Sequence, residues 1–238
     1  METKELQLQP RLRLLADLVP EGARLTDVGT DHGYLPVWLM KHGKIRSAIA
    51  ADIGQDPLRH ARCTAREQGI DNIDFRLCDG LSGVAADETD TVVIAGMGGE
   101  TMIHILQSAP WTADGLHTLL LQPMTKVEEL RLWLSLNGYR YTGEFLVEDK
   151  DFIYPVLRLT GGRQAPLTQA EQYGGVLLEN DPLYTTYLQR RIDRLAHAIA
   201  GRSHAADGSL DKTTTDHLKA ILRDLKEEKR RLCHDDCT

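Results

Sequence analysis

The stretch LTDVGTDHGYLP, Leu25 to Pro36, joins a short apolar run to a glycine-bearing turn. A turn of this kind after the first strand is typical of a doubly wound parallel sheet, where bare backbone approaches a ligand. The glycines have the spacing Gly29-x3-Gly33, which lacks the full three-glycine pattern of pyrophosphate-binding turns. The turn is also flanked and occupied by two acids, Asp27 and Asp31. The stretch therefore predicts an α/β fold and raises the question of which ligand tolerates these acids.

Apolar runs like the first recur along the chain, and segments with helical spacing separate them, which predicts stacked βα units. The predicted strands are Arg24–Val28, Ser47–Ile53, Ile73–Asp79, Thr91–Met97 and Thr118–Pro123, and the predicted helices of this part are Arg11–Leu18, Pro57–Gln68 and Thr125–Asn137. The segment Arg140–Thr160 has two β-rich runs around a charged tip, which predicts a hairpin. The sheet is therefore expected to end with antiparallel strands.

The composition changes at Thr160–Pro166, where two glycines and a proline indicate a hinge. Beyond it, Thr168–Ala200 and Thr213–Leu232 carry apolar residues at steps of three and four among many charges. This pattern predicts two helices packed as an antiparallel, coiled-coil-like pair. We therefore predict an α/β domain over residues 1–162 and a helical domain over residues 163–238.

The composition narrows the class of protein. The 238 residues carry a net charge of −7, which argues against a general nucleic-acid coat or a membrane-surface protein. The four cysteines form no paired framework, and neither a signal peptide nor an apolar run of membrane length is evident, so we expect a reduced, cytoplasmic protein. The terminal CHDDC, Cys233 to Cys237, is an incomplete zinc pattern, and no metal site is predicted.

The acids of the first turn indicate the cofactor class. Asp27 and Asp31 would repel a pyrophosphate, whereas S-adenosylmethionine has a sulfonium cation and an α-ammonium group. Asp52 ends the second predicted strand, where a carboxylate can accept both ribose hydroxyls. Asp79 ends the third predicted strand, where its carboxylate can accept a hydrogen bond from the amino group of the adenine. Each acid alone could be a turn former or a helix cap, but together they favour S-adenosylmethionine.

The fourth predicted strand ends in AGMGGETM, Ala95 to Met102. Gly96, Gly98 and Gly99 are interpreted as an open floor beside the methyl group, which suits a flat substrate edge. The alternative is that these glycines serve only the geometry of the chain. His32 has a similar ambiguity, because it could contact substrate or make a local structural hydrogen bond.

The motifs together resemble those of the bacterial tRNA adenine-22 N1-methyltransferases. The segments that carry the resemblance are PRLRLLADLV, DVGTDHGYLP, AADIGQDPL, CDGL, VIAGMGG, LLQP, the hairpin pattern ED-x-x-F-x-Y and ENDPLYTTYL, which together span nearly the whole chain. Two positions depart from the usual pattern: Gly33 stands where Ala is common, and Met124 stands where Asn is common. The second departure puts a substrate role for Met124 in doubt.

The resemblance implies a Rossmann-like S-adenosylmethionine-dependent methyltransferase that modifies N1 of adenine 22 in tRNA, with the helical domain binding the tRNA body. The cofactor site would then comprise Asp27, Gly29, Asp31, His32, Gly33, Asp52, Ile53, Asp79, Gly80, Ala95, Gly96, Met97 and Gly98. The substrate site would comprise Arg11, Arg13, Gly99, Gln122 and Pro123. Because N1-methylation makes the adenine ring cationic, Asp31 is the candidate catalytic residue that stabilises the developing charge.

Alternatives to a tRNA methyltransferase, and to a tRNA-binding role of the helical domain, remain open at this point. An acidic methyltransferase could act on a small molecule or a protein, and a non-enzymatic protein could sense the cofactor and bind a partner. If tRNA is the partner, its phosphates would need local cations such as Arg11 and Arg13, the trio Arg59, Arg62 and Arg66, or the trio Arg190, Arg191 and Arg194. The helical pair could instead serve dimerisation or stability, and the oligomeric state stays open, with a monomer among the options.

Overall fold

The computed structural model describes the backbone of residues 6–204 and 209–235, and their side chains except those of 202–204, 209–212 and 233–235. The chain divides into two compact units, with the boundary between Ala165 and Pro166. The side chains of Cys233 to Cys237 lie outside the described part. None of the helices described combines the length and apolarity that a membrane crossing requires.

The first unit is built on a seven-stranded sheet with the order β3-β2-β1-β4-β5-β7-β6. Its strands are β1 (Ala23–Val28), β2 (Ile45–Asp52), β3 (Ile73–Leu77), β4 (Thr91–Gly98), β5 (Thr118–Thr125), β6 (Tyr139–Asp149) and β7 (Phe152–Gly161). The first five strands are parallel, and β7 pairs antiparallel with both β5 and β6. The predicted α/β fold with an antiparallel end is confirmed.

Among the described residues of this unit, the α-helices that accompany the sheet are α1 (Pro10–Leu18), α2 (Tyr34–Lys41), α3 (Gln55–Glu67), α4 (Gly99–Ser108) and α5 (Val127–Leu136). Two short 3-10 helices lie at Ala86–Glu88 and Pro110–Ala113. The inner strands are buried on both faces, as Val92, Val93 and Ile94 of β4 illustrate with no exposed surface. Such continuous apolar strands are typical of a parallel sheet covered by helices. They explain why the strands were evident from apolar runs alone.

The second unit contains α6 (Gln169–Gly174), α7 (Tyr184–His204) and α8 (Ser209–Asp235). Lys229 near the end of α8 donates to Gln189 near the start of α7 at 2.5 Å, so the two helices are antiparallel. A Cβ placed on Gly174 would lie 3.0 Å from Leu225 and 3.1 Å from Leu188, so α6 packs closely on both. Coiled-coil packing of α7 and α8 stays a prediction.

The expectation of one helix over Thr168–Ala200 was wrong. Gly175 has a φ of 120°, which ends α6, and α7 begins only at Tyr184, after Pro182. Proline in a helix interior removes a backbone donor and clashes with the preceding turn. The intervening residues 175–183 are therefore non-helical although the apolar spacing continues through them.

Candidate active site

The candidate site is a cavity of about 410 Å³ in the first unit, where the carboxyl ends of β1 and β4 meet. The chain order of the strands reverses at this point, because β2 and β3 lie on one side of β1 and β4 on the other. Open α/β sheets bind ligands at such a switch point. The lining comprises Gln9, Arg11, Leu12, Asp27, Gly29, Thr30, Asp31, His32, Tyr34, Leu35, Ala95, Gly96 and Gln122.

Asp27 lies at the bottom of this site, near the end of β1, and is only 6% exposed. Burial raises the pKa of its carboxyl from 3.8 to about 6; a hydrogen bond from Thr30 Oγ1 opposes this shift and the charge of Asp52 adds to it. Thr30 Oγ1 donates to Oδ2 at 2.7 Å. A buried carboxylate that is costly to ionise is stabilised by a nearby cation. The cavity therefore favours a positively charged ligand group.

Asp52 ends β2 and anchors the turn after β1. Its Oδ2 accepts from the backbone N–H of Asp31 at 3.3 Å, and its Oδ1 accepts from that of Gly54 at 2.8 Å. A carboxylate has about four lone-pair positions, so each oxygen retains capacity for a further donor. Asp31 has a left-handed φ of 47°, and its side chain is 69% exposed, with Oδ1 3.8 Å from His32 Nε2.

The two glycines of the first turn have distinct roles. Gly29 has a φ of 73°, and a Cβ there would overlap the terminal methyl of Met97. Gly33 has a φ of 68°, and a Cβ there would lie 2.9 Å from the Cβ of Ala61 in α3. Both positions therefore need glycine for backbone conformation and for close packing.

The glycines that end β4 do not form one open floor. Gly96 lines the cavity, has a φ of 76° and has open space where a Cβ would stand. In contrast, a Cβ on Gly98 would lie 3.1 Å from Thr125 Oγ1, and one on Gly99 would overlap the carbonyl of Lys126. Gly99, the first residue of α4, thus allows close packing on the segment after β5. This agrees with the alternative interpretation, in which the glycine serves the geometry of the chain.

Arg11 reaches the cavity from α1 and links three elements. Its Nε donates to Asp149 Oδ2 at 2.7 Å, and its Nη1 donates to Gln122 Oε1 at 3.2 Å. Its guanidinium also lies over the ring of Tyr154, 5.1 Å from the centroid. Gln122 Oε1 accepts from Gly96 N–H at 3.3 Å as well, so the amide orientation is fixed. Arg11, which the sequence predicted as a substrate-site residue and a phosphate contact, is therefore part of the cavity wall.

The other predicted residues lie outside the cavity lining. Arg13 is exposed on α1, where it pairs with Asp17 and lies over Trp38. Asp52 and Met97 support lining residues, and Gly33 and Pro123 adjoin them in sequence. Ile53 is 72% exposed beyond β2, Asp79 is exposed beyond β3, and Gly80 packs on Ile105. The structure therefore places the acids of β2 and β3 along one rim of the sheet.

Five lining residues were absent from the sequence prediction: Gln9, Leu12, Thr30, Tyr34 and Leu35. Thr30, Tyr34 and Leu35 belong to the same motif as the predicted acids, so their position after β1 was an available signal. Gln9 and Leu12 are brought in by α1, whose docking the local sequence does not reveal.

Three rings lie in a stack at the mouth of the cavity. The ring of His32 stacks on that of Tyr34 and on that of His60, with centroid distances of 5.2 and 5.1 Å and planes within 9° and 8° of parallel. Ligand atoms of Asp31, His32 and His60 lie within 4.8 Å of one another. A metal ion binds in the plane of an imidazole, so two stacked rings do not direct their nitrogens at one ion.

Comparisons with known proteins agree with this architecture. A family model described as a methyltransferase domain matches residues 8–157. The tRNA (adenine(22)-N(1))-methyltransferase of Bacillus subtilis is 30% identical over 231 residues, which cover 94% of this chain and 97% of that enzyme. The crystal structure of the B. subtilis m1A22 tRNA methyltransferase TrmK has a TM-score of 0.84 at 29% identity and covers 94% of this chain and 99% of its own. A Streptococcus pneumoniae putative tRNA (m1A22) methyltransferase, solved with S-adenosyl-L-methionine, has a TM-score of 0.79 at 29% identity, covering 91% and 97%.

Proposed function

The chain belongs to the family of tRNA (adenine(22)-N(1))-methyltransferases, and on this premise we propose that it transfers the methyl group of S-adenosylmethionine to N1 of adenine 22 in tRNA. The observation that carries the proposal is the end-to-end similarity to the B. subtilis enzyme, which includes the helical unit as well as the α/β unit. A methyltransferase of small molecules would need to match only the α/β unit. We further propose that the protein works in the cytoplasm, where tRNA is modified.

The residues of the cavity fit S-adenosylmethionine. Asp27 is a buried carboxylate whose pKa of about 6 indicates that it lacks a cationic neighbour, and the sulfonium and ammonium groups of the cofactor would supply one. Asp52 would accept the two ribose hydroxyls with the lone pairs that its bonds to Asp31 and Gly54 leave available. Asp79 would accept from the adenine amino group. The glycine at position 29 lets the backbone come close to the bound molecule.

The reaction needs positioning more than proton transfer. When bound, S-adenosylmethionine supplies a methyl group on a sulfonium centre. N1 of neutral adenine has a lone pair, so the protein needs no general base. Gly96 leaves open space at the wall of the cavity, and Gln122 is held there by Arg11 and by Gly96 N–H. Positioning alone can supply a large part of a rate enhancement, because ~1 Å of misplacement costs about a hundredfold.

Asp31 is proposed to stabilise the charge that develops on the adenine ring. Its carboxylate is exposed at the cavity mouth, and its backbone N–H donates to Asp52, which fixes the turn that carries it. Methylation at N1 makes the ring cationic, so a carboxylate placed beside it stabilises the transition state more than the neutral substrate. His32 is proposed as a cofactor-site residue because it lines the cavity.

The tRNA body is proposed to contact the helical unit. This unit carries Arg190, Arg191 and Arg194 on α7. From Pro166 onward the sequence has 11 positive and 12 negative residues, so −6 of the net charge of −7 resides in the α/β unit. Arg13 on α1 remains a candidate phosphate contact because it is exposed. A large polyanion would therefore bind through a few placed cations, and its affinity would fall steeply with salt.

The test is methyl transfer from labelled S-adenosylmethionine to defined tRNA transcripts. We expect one methyl group per tRNA, mapped to N1 of adenine 22, and no transfer to a transcript that has guanine at that position. Asp52→Ala serves as the impaired control variant, because it removes the ribose acceptor together with the two bonds that Asp52 accepts from the backbone of Asp31 and Gly54. Transfer to metabolites or proteins of a cell extract, with none to tRNA, would overturn the proposal.

A further inference from the structure

We propose that the stacked rings of Tyr34, His32 and His60 form a platform on which the target adenine lies as it enters the cavity. This inference rests on the proposed function. Tyr34 and His32 both line the cavity, and Tyr34 is 38% exposed. His60 stacks on His32 and is not among the residues that line the cavity. Because the ring of His32 already stacks on two rings and that of Tyr34 on one, Tyr34 is the cavity-lining ring proposed to meet the entering base.

The platform depends on close packing that only glycine allows. The three rings come from the turn after β1, from the first residue of α2 and from α3. Gly33, between His32 and Tyr34, lets α3 approach until a Cβ on Gly33 would be 2.9 Å from the Cβ of Ala61. Ala61 adjoins His60, so this approach places the His60 ring on that of His32. Glycine at position 33 thus allows the close packing of α3 against the turn after β1.

An RNA base that leaves its helix loses its stacking partners, and aromatic side chains replace them. The side chain of His32 is 43% exposed, so the stack lies at the surface beside the cavity and outside the apolar core. Rings within 9° of parallel present a flat, ordered face that needs no rearrangement before a base lies on it. A base is the component of tRNA that matches such a face.

The platform also suits the charge of the product. The adenine ring becomes cationic on methylation, and a phenol ring attracts a cation through its electron-rich face. Tyr34 would therefore bind the transition state more strongly than neutral adenine, which is the requirement for catalysis. The carboxylate of Asp31, beside His32, acts in the same direction.

The position of Tyr34 separates it from the adenine of the cofactor. Tyr34 follows β1 at the centre of the sheet, whereas Asp79, the proposed partner of the cofactor adenine, follows β3 at the edge. Two strand spacings correspond to about 10 Å. We therefore assign the ring to the substrate base and expect Tyr34 variants to retain their affinity for S-adenosylmethionine.

The test is a double-mutant cycle between the ring and the base. Binding is measured for tRNA with adenine 22 and for the same tRNA with an abasic site at that position. For the wild-type protein and Tyr34→Phe, we expect the abasic site to weaken binding about tenfold. For Tyr34→Leu we expect the abasic penalty to fall to no more than about twofold, with an unchanged affinity for S-adenosylmethionine.

His60→Ala should lower the penalty part of the way, because it removes the outer ring of the stack. His42→Ala is its matched control: His42 stacks on Trp38 at 3.8 Å, a pair outside the cavity lining. An equal abasic penalty in wild type and Tyr34→Leu would overturn the platform, and so would a parallel loss of S-adenosylmethionine affinity. If the wild-type protein itself failed to methylate tRNA, the proposed function would fail first, and the two failures are thus distinguishable.

Discussion

Replacing Arg11 with alanine should destabilise the α/β unit by about 2–3 kcal/mol. The side chains of Arg11 and Asp149 are 23% and 7% exposed, with a distance of 2.7 Å between Nε and Oδ2. Removing one partner of a buried pair typically costs ~3–5 kcal/mol, and the residual exposure of Arg11 lowers this figure. The change also removes the Nη1 bond to Gln122. For a domain of this size, the expected fall in Tm is about 4–12 °C.

The assay is thermal unfolding followed by circular dichroism, with Arg13→Ala as the matched control two residues along the same helix. Arg13 and Asp17 form an exposed pair, with side chains 57% and 54% exposed, so this control should change stability by less than about 1 kcal/mol. Joint replacement of Arg11 and Asp149 by leucine should recover part of the loss, because no charge is left buried without a partner. Equal Tm values for Arg11→Ala and Arg13→Ala would refute the reasoning.

Three further predictions concern the cofactor and the helical unit. Asp52→Ala should weaken S-adenosylmethionine binding by ~1–3 kcal/mol in calorimetry, since two ribose hydroxyls lose their acceptor, and unchanged affinity would remove Asp52 from the site. Because the pKa of Asp27 is raised from 3.8 to about 6, its ionisation destabilises the fold above about pH 6, and this penalty fades as the pH falls towards 4. A bound cation would keep the carboxylate ionised, so cofactor binding at pH 6 should release a proton. Calorimetry in buffers of different ionisation enthalpy detects this proton, and Asp27→Asn should abolish its release. A chain that ends at Ala165, which keeps the bond from Tyr141 N–H to Gln164, should bind S-adenosylmethionine normally but lose methylation of tRNA; full activity would exclude the helical unit from substrate binding.

The strands could be predicted because the inner sheet is buried on both faces, so its strands are continuous apolar runs. The first strand was predicted at Arg24–Val28 and lies at Ala23–Val28. Helix α2 was not identified, because YLPVWLMK is apolar on most sides and has little helical periodicity. The break between α6 and α7 was not predicted, because the apolar spacing continues past Gly175. The φ of 120° at Gly175, which ends α6, cannot be read from the spacing of apolar residues.

The acids of the site could be predicted because they follow strands, and carboxyl ends of parallel strands share one edge. Contacts between distant parts of the chain could not. Arg11 and Asp149 are 138 positions apart, and only the docking of α1 on the β6–β7 hairpin brings them together. Likewise, Gly99 was interpreted as open floor, because its contact with Lys126 exists only once β4 and β5 are paired.

The long interval between Arg11 and Asp149 has a consequence for synthesis of the chain. Ribosomes add about 5–20 residues per second, so the 138 residues that follow Arg11 up to and including Asp149 take about 7–30 s to appear. During that time the amino-terminal helix can form, but the partner of its guanidinium has not yet been made. The ion pair between Arg11 and Asp149 forms only after the hairpin that carries Asp149 has been synthesised. A nascent chain stalled before residue 149 therefore lacks the contact that holds Arg11 at the cavity. Protection of Arg11 from a chemical or proteolytic probe on stalled nascent chains would thus report the moment at which the catalytic unit is complete.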